Sequence, residues 1–190
     1  MNPEENKTRF LQLCRDNIKR DGIENLISWL EKSDFFYAPA STKFHGSYYG
    51  GLCQHSLNVY DEMIRLLDAY PEIECTDEEL TIVTLFHDLC KVNMYTVEQR
   101  NRKNEQGKWE KYDAYAIEEK FVYGGHGSKS VFIVNNFIKL TPREAVAINC
   151  HMSCWNGDTF VGKVYEKEPF AWLLHCADES ASYIVETKEQ

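Results

Sequence analysis

Apolar residues recur at intervals of three and four along most of the chain, which is the spacing of one face of an α-helix. In the stripe that covers residues 4–20 they are Phe10, Leu13, Cys14 and Ile18. Asp21 and Gly22 interrupt the pattern, and a second stripe runs through residues 23–30. The two stripes predict a pair of helices, and we expect residues 1–33 to form an N-terminal packing layer without chemistry of its own.

Two later helical segments carry ionisable residues among their apolar ones. The first spans about residues 52–67 and places His55 within its apolar stripe. The second is apolar on nearly all sides and ends in the adjacent residues His87 and Asp88. A helix that is apolar all round is buried. We therefore expect buried imidazoles and a buried carboxylate, each of which needs a partner.

Two helix starts carry the pattern of a capping box, in which a threonine precedes a glutamate by three residues. Thr76 and Glu79 begin the helix that leads to His87, and Thr141 and Glu144 begin a later one. The later helix presents His151 near its C-terminal end.

The remaining segments are a hairpin, a loop and a last helix. Residues 92–121 are the least helical part of the chain, and strand-like residues flank a turn cluster at 104–107, which predicts an inserted β-hairpin. Residues 155–168 contain glycine and predict a loop. Pro169 then opens a helix in which Asp178 lies in the middle of an apolar stripe.

Composition is consistent with one all-α domain that spans the 190 residues and carries the small hairpin as an insertion. The chain has no run of apolar residues long enough for a membrane span and no signal-peptide pattern at its start, so we expect a cytoplasmic protein. A formal net charge of −9 disfavours binding to long nucleic acid, although local cations could still bind a small phosphorylated substrate.

Four histidines and two aspartates stand on apolar faces or at glycine-rich helix starts. Taken alone, an inward histidine is more often a hydrogen-bonded core residue than a ligand. Six such residues together are better explained by a shared cation, because metal ions accept both imidazole and carboxylate ligands. The six are His55, His87, Asp88, His126, His151 and Asp178.

The order of these residues resembles the HD-domain superfamily of metal-dependent phosphohydrolases. The likeness covers residues 40–185 and rests on Gly50-Gly-Leu-Cys-Gln-His55-Ser-Leu, on Leu85-Phe-His87-Asp88-Leu-Cys-Lys91, and on His126, His151 and Asp178. It implies a helical bundle that holds two divalent ions. His55, His87, Asp88 and Asp178 would bind one ion, and His126 and His151 the other, with Asp88 bridging.

The resemblance also implies a reaction. Imidazole and carboxylate ligands suit Mn, Fe, Co, Ni or Zn, while Mg prefers more oxygen. Ions held in this way lower the pKa of bound water, so we expect hydrolysis of a phosphomonoester or phosphodiester in a nucleotide or a short nucleic acid. Asp88 and Lys91 are the expected catalytic residues, and Lys91, His45 and Lys129 are candidates for binding the phosphate.

The sequence departs from the family pattern at three places, and two of these departures narrow the range of expected substrates. The first, which does not, is Cys90, where many members have glycine. The Gly-Tyr-Pro signature of the cyclic-di-GMP phosphodiesterases is missing after His151, and so is the acidic pair that follows the His-Asp motif in alarmone hydrolases.

Three alternatives stay open from the sequence. The same six ligands occur in HD-fold di-iron oxygenases, and the chain could instead be a non-catalytic nucleotide-binding module. Cys150, Cys154, His151 and Cys176 give a weaker indication of a structural zinc site. Substrate identity and oligomeric state are not determined by these patterns.

Overall fold

Helices make up most of the structure, a computed structural model that describes residues 2–119, 124–153 and 160–189. The first four helices are α1 (Pro3–Asn17), α2 (Ile23–Lys32), α3 (Gly51–Ala69) and α4 (Asp77–Phe86). After a two-stranded hairpin come α5 (His126–Asn135), α6 (Pro142–Cys150), α7 (Val161–Lys167) and α8 (Pro169–Ser180). The predicted content of the fold, mostly helices with one inserted β-hairpin, is confirmed.

Helix α3 lies at the centre of the bundle and packs against α1, α4 and α8. Residues 51–60 of α3 are all buried, because neighbouring helices cover it on several sides. An aromatic cluster holds α1 against this core, with the ring of Phe10 centred 4.9 Å from that of Phe35 and 6.2 Å from that of Phe86. Any side chain on the inner face of α3 is therefore fixed from several directions.

Helices α4 and α6 begin in the same way. In each, a threonine hydroxyl accepts a hydrogen bond from the backbone N–H three residues on, and the glutamate there accepts one from the threonine backbone N–H. Both predicted capping boxes, Thr76 with Glu79 and Thr141 with Glu144, are confirmed. Each helix also ends with a histidine at its C-cap, His87 or His151. The capping boxes fix where each helix begins, and a histidine stands at the other end of each.

The hairpin consists of β1 (Tyr95–Lys103) and β2 (Trp109–Ile117), which are antiparallel and pair Tyr95 with Ile117. It lies within the predicted span of 92–121, of which residues 120–121 are outside the described chain. Most of its side chains are exposed, including Trp109 at 70%. The hairpin therefore projects from the bundle and adds little to the core.

Part of the segment predicted as a loop is helical. Val161–Lys167 forms α7, while residues 154–159 lie outside the described chain. Val161 is buried, and Val164 and Tyr165 pack against the core. Gly162 favoured a loop in the sequence, but tertiary packing of these three side chains outweighs that local preference.

The N-terminal helices share the core of the later ones: buried residues of α1, α2, α3 and α8 belong to the same hydrophobic cluster. Arg20, between α1 and α2, ties this layer to α6, since its guanidinium donates two hydrogen bonds of 2.6 Å to the Glu144 carboxylate. The Glu144 side chain is completely buried.

None of the helices in the described ranges is long and apolar enough to cross a membrane.

We expect Arg20→Ala to lower the free energy of unfolding by about 2–4 kcal/mol, because it leaves the buried Glu144 carboxylate without its cation. Arg15→Ala is the matched control, since the Arg15 side chain is 47% exposed and its ion pair with Glu24 lies at the surface; a change within about 0.5 kcal/mol is expected there. Urea unfolding measures both. Equal effects of the two substitutions would contradict the stabilising role of the Arg20–Glu144 pair.

Candidate metal centre

Five of the six predicted ligands meet in the interior of the bundle, and we call them the His/Asp cluster. His55 comes from the first turns of α3, His87 and Asp88 from the end of α4, His151 from the end of α6, and Asp178 from α8. The three histidines have no exposed surface, and the two aspartates are at most 7% exposed. Four helices therefore bring ionisable side chains together in the buried interior of the bundle.

Four distances between imidazole nitrogens and carboxylate oxygens of the His/Asp cluster are close to those expected between two ligands of one ion. His55 Nε2 lies 3.1 Å from Asp178 Oδ1 and 3.6 Å from Asp88 Oδ2. His87 Nε2 is 3.5 Å from Asp88 Oδ2, and His151 Nε2 is 3.7 Å from Asp88 Oδ1. Two atoms that each bind an ion at about 2.0–2.2 Å are themselves roughly 3–3.6 Å apart.

The other nitrogen of each imidazole shows which tautomer is present. Nδ1 of His87 lies 2.8 Å from the Thr84 carbonyl oxygen, and Nδ1 of His151 lies 2.6 Å from that of Ile148. A carbonyl oxygen only accepts, so both Nδ1 atoms carry the proton. The Nε2 lone pairs are left for the interior of the cluster, which is the arrangement of metal-binding histidines.

The Nε2 atoms of His55, His87 and His151 are buried and have no hydrogen-bond partner among the described residues. Buried polar atoms without partners are costly, and a cation is the partner that would satisfy three lone pairs and two carboxylates together. Ligand atoms of His55, His87 and Asp88 lie within 4.8 Å of one another, and so do those of His87, His151 and Asp178. The residues of the His/Asp cluster fit a divalent cation.

Both carboxylates are held in their charged form. Burial alone would raise the pKa of Asp88, but Lys91 and His87 outweigh burial and keep that pKa well below its usual range. Burial likewise opposes ionisation of Asp178, and His55 lowers its pKa. The imidazole of His55 responds in the opposite sense. Burial lowers the pKa of His55, yet the neighbouring carboxylates Glu186 and Asp178 raise it to about 10, so protons and metal ions compete for the same nitrogen.

A pocket of about 160 Å³ lies beside the His/Asp cluster. Its walls include two predicted phosphate-binding residues, Lys91 and His45, together with the cluster residue Asp178. The Lys91 ammonium is 2.6 Å from Asp88 Oδ2 and its side chain is 12% exposed, so it joins the cluster to the pocket. Burial lowers the pKa of His45 to about 4, which keeps its imidazole neutral. The other lining residues are Met152, Glu179, Ser182 and Tyr183.

Among the described residues, neither His126 nor Lys129 belongs to a candidate ion-binding group or lines the pocket. His126 begins α5 as predicted, but its Nδ1 is 3.3 Å from the Cys90 thiol, and it belongs to none of the candidate ion-binding groups of the described residues. Lys129 donates to Glu119 at 2.9 Å and does not line the pocket among the described residues. A second ion shared by His126 and His151 stays a prediction. Cys154, from the zinc alternative, lies outside the described chain.

The sequence interpretation missed Glu186. This carboxylate is 3% exposed and its Oε1 lies 2.8 Å from His55 Nδ1. Steps of three and four residues from Asp178 through Ala181 would place Val185 on the buried face, but residues 181–185 form a π-helical turn, which takes about one more residue per turn than an α-helix. The extra residue moves Glu186 inward, whereas Val185 is only half-buried. Counting helical steps from Asp178 and adding the one extra residue of the π-helical turn would have placed Glu186, rather than Val185, on the buried face.

We expect divalent ions to stabilise the folded protein, because the cluster exists only in the native state. At an ion concentration of 100 times the dissociation constant the gain is about 2.7 kcal/mol. Urea unfolding of chelator-treated protein, with and without Mn²⁺, Fe²⁺ or Zn²⁺, measures it. His87→Gln should remove most of the gain, whereas Asp61→Asn should keep it, because Asp61 is an exposed carboxylate paired with Arg9. No stabilisation of the unaltered protein by any of these ions would contradict a metal centre.

Known proteins give no further guide to the site. No family model, no curated protein and no solved structure matches the chain. Its chemistry therefore has to be inferred from the geometry of the cluster and its pocket.

Proposed function

We propose that this protein is a metal-dependent phosphohydrolase of the HD-domain type, built as a single domain. Its reaction is hydrolysis of a phosphomonoester or phosphodiester in a nucleotide or a short nucleic acid. The proposal is supported above all by the three buried Nε2 atoms, of His55, His87 and His151, which converge on Asp88 and Asp178 without other hydrogen-bond partners in the described chain.

The chain's own residues suit this reaction. His55, His87, Asp88, His151 and Asp178 would hold the ion. When bound, a divalent ion supplies a Lewis acid for a phosphoryl oxygen and lowers the pKa of water. Asp88 presents both carboxylate oxygens to the cluster, since Oδ2 faces His55 and His87 while Oδ1 faces His151. The cluster side chains are buried, which strengthens the charge interactions among them.

Lys91 is the residue that would orient the phosphate. Its ammonium has three donors, of which Asp88 takes one, and the side chain lines the pocket. A cation fixed beside the reacting phosphoryl group stabilises the charge that builds up in the transition state. Neutral His45 on the same wall can donate or accept one hydrogen bond at a phosphate oxygen.

The size of the pocket favours a small substrate. A volume of about 160 Å³ holds a phosphoryl group and part of a sugar, and the rest of the substrate would lie outside. Tyr183, at the wall of the pocket, is 68% exposed and offers an aromatic face to that outer part. The net charge of −9 would repel long polyanions and makes a short substrate the better candidate.

Asp88→Ala should abolish both metal retention and turnover, because the carboxylate contacts all three buried imidazoles. Elemental analysis of the purified variant, and phosphate release from a panel of mononucleotides, cyclic dinucleotides and short RNA, measure the two effects. Asp61→Ala, at an exposed carboxylate paired with Arg9, is the control and should retain both. Wild-type rates of hydrolysis in Asp88→Ala would refute the assignment.

Lys91→Met should lower kcat by about 10²-fold, as expected when a group that stabilises transition-state charge is removed. Lys129→Met is the matched control, because this lysine pairs with Glu119 away from the pocket, and kcat should change little. Steady-state kinetics on the best substrate of the panel separate kcat from KM. If the two variants have equal kcat values, Lys91 has no role in the reaction.

The oxygenase alternative is tested in the same preparation. Phosphate release under anaerobic conditions supports hydrolysis. Consumption of O2 by the iron-loaded protein without phosphate release would support oxygenation and overturn the proposal. Tight nucleotide binding without turnover, with each of several metals, would favour the non-catalytic module instead.

A further inference from the structure

We propose that Glu186 is a positioning residue of the metal centre, which fixes the orientation and tautomer of His55. The inference rests on the proposed metal site and adds a residue outside the set of ligands. Glu186 faces the side of the His55 ring that points away from Asp88 and Asp178, so it acts on the ion only through the imidazole.

The contacts of Glu186 hold its carboxylate in one place. Oε1 is 2.8 Å from His55 Nδ1 and also accepts a hydrogen bond of 3.1 Å from the Asn58 side-chain amide. His55 and Asn58 lie three residues apart on α3 and therefore on the same face of the helix. One carboxylate oxygen thus bridges two neighbouring side chains of the central helix.

Asn58 is itself oriented by a chain of amides that extends to the N-terminal helix. The Gln54 amide donates to Asn58 Oδ1 at 2.7 Å, and Asn6 on α1 donates to Gln54 Oε1 at 2.6 Å. Because Asn58 Oδ1 accepts from Gln54, its nitrogen is the atom turned to Glu186. This network fixes the direction in which Asn58 donates, and with it the position of Glu186.

The carboxylate selects one tautomer of His55. A charged carboxylate oxygen accepts, so Nδ1 keeps its proton, and Nε2 is the nitrogen that exchanges a proton for an ion in the His/Asp cluster. His87 and His151 reach the same tautomer through carbonyl oxygens of their own helices, which His55 cannot do because it lies at the start of α3 rather than at its end. A carboxylate brought from another part of the chain takes the place of the missing carbonyl. Such partners also raise the basicity of the ligating imidazole.

The second oxygen of Glu186 gives a competing interpretation. Oε2 is buried without a partner in the described chain, as is Nε2 of His45, and ligand atoms of His45, His55 and Glu186 lie within 4.8 Å of one another. These three could bind a separate ion, but His55 would then have to lose its Nδ1 proton. The 2.8 Å contact with Oε1 favours a proton in that position, and hence positioning over ligation.

Glu186→Gln tests the proposal, because glutamine keeps the shape of the side chain and loses its charge. Competition with a chelator of known affinity measures the dissociation constant for Zn²⁺ and the number of ions bound. We expect binding to weaken about 10- to 100-fold with an unchanged number of ions. Nitrogen-15 spectra of the zinc-loaded protein report the tautomer directly, and the His55 Nδ1–H signal should shift or disappear in the variant.

Glu62→Gln is the matched control. Glu62 is a buried carboxylate on the same helix that accepts from Ser180 at 2.7 Å and from Arg65 at 2.6 Å, away from the cluster. We expect it to leave zinc affinity and the His55 signal unchanged, even if it lowers the stability of the fold. If Glu186→Gln does not fold, Asn58→Leu removes the donor that orients Glu186 and should also weaken zinc binding, by a smaller factor.

The outcomes separate this inference from the proposed function. Zinc binding by the unaltered protein, with equal affinities for Glu186→Gln and Glu62→Gln, would overturn the positioning role and leave the phosphohydrolase proposal intact. Loss of one full equivalent of zinc in both Glu186→Gln and His45→Asn would make Glu186 a ligand and also overturn it. If the unaltered protein binds no divalent ion, both the proposed function and the positioning role of Glu186 are refuted, because the second depends on the metal site.

Discussion

Burial of two carboxylates inside an apolar helical bundle is the constraint on which the rest of the site depends. Removing an ionised carboxylate from water costs several kcal/mol unless other charges and donors replace the solvent. Around Asp88 the replacement comes from Lys91 and three imidazoles, and around Asp178 it comes chiefly from His55. The bundle can hold these charges because the three imidazoles arrive from α3, α4 and α6, and each has its Nδ1 held by a hydrogen bond.

Two of the helices solve this problem in the same way. α4 and α6 each begin with a threonine capping box and end with a histidine whose Nδ1 hydrogen-bonds a carbonyl oxygen three residues earlier. That bond satisfies one of the carbonyls left without a partner at a helix end. It also aims Nε2 at the cluster. Because the C-terminal end of a helix carries partial negative charge, the ends of both helices favour a cation between them.

The last residues of the described chain complete the site. After α8 the π-helical turn rotates Glu186 towards His55, so the outer side of this imidazole is held by a segment far from α3 in sequence. The amide chain through Asn58 and Gln54 continues the same network to Asn6 in the first helix. Hydrogen bonds of Asn6 in the first helix and of Glu186 near residue 190 therefore converge, directly or through side-chain amides, on one histidine.

Local patterns in the sequence determined most of the helices, both capping boxes, the hairpin and five of the ligand-type residues: His55, His87, Asp88, His151 and Asp178. They could do so because helical periodicity and capping depend on residues only three or four positions apart. Tertiary structure alone decided that the Cys90 thiol lies 3.3 Å from His126 Nδ1, that Val161–Lys167 is helical, and that Glu186 is turned inward. Each of these depends on how separate helices pack or on a one-residue shift in helical phase, which spacing within a segment does not encode.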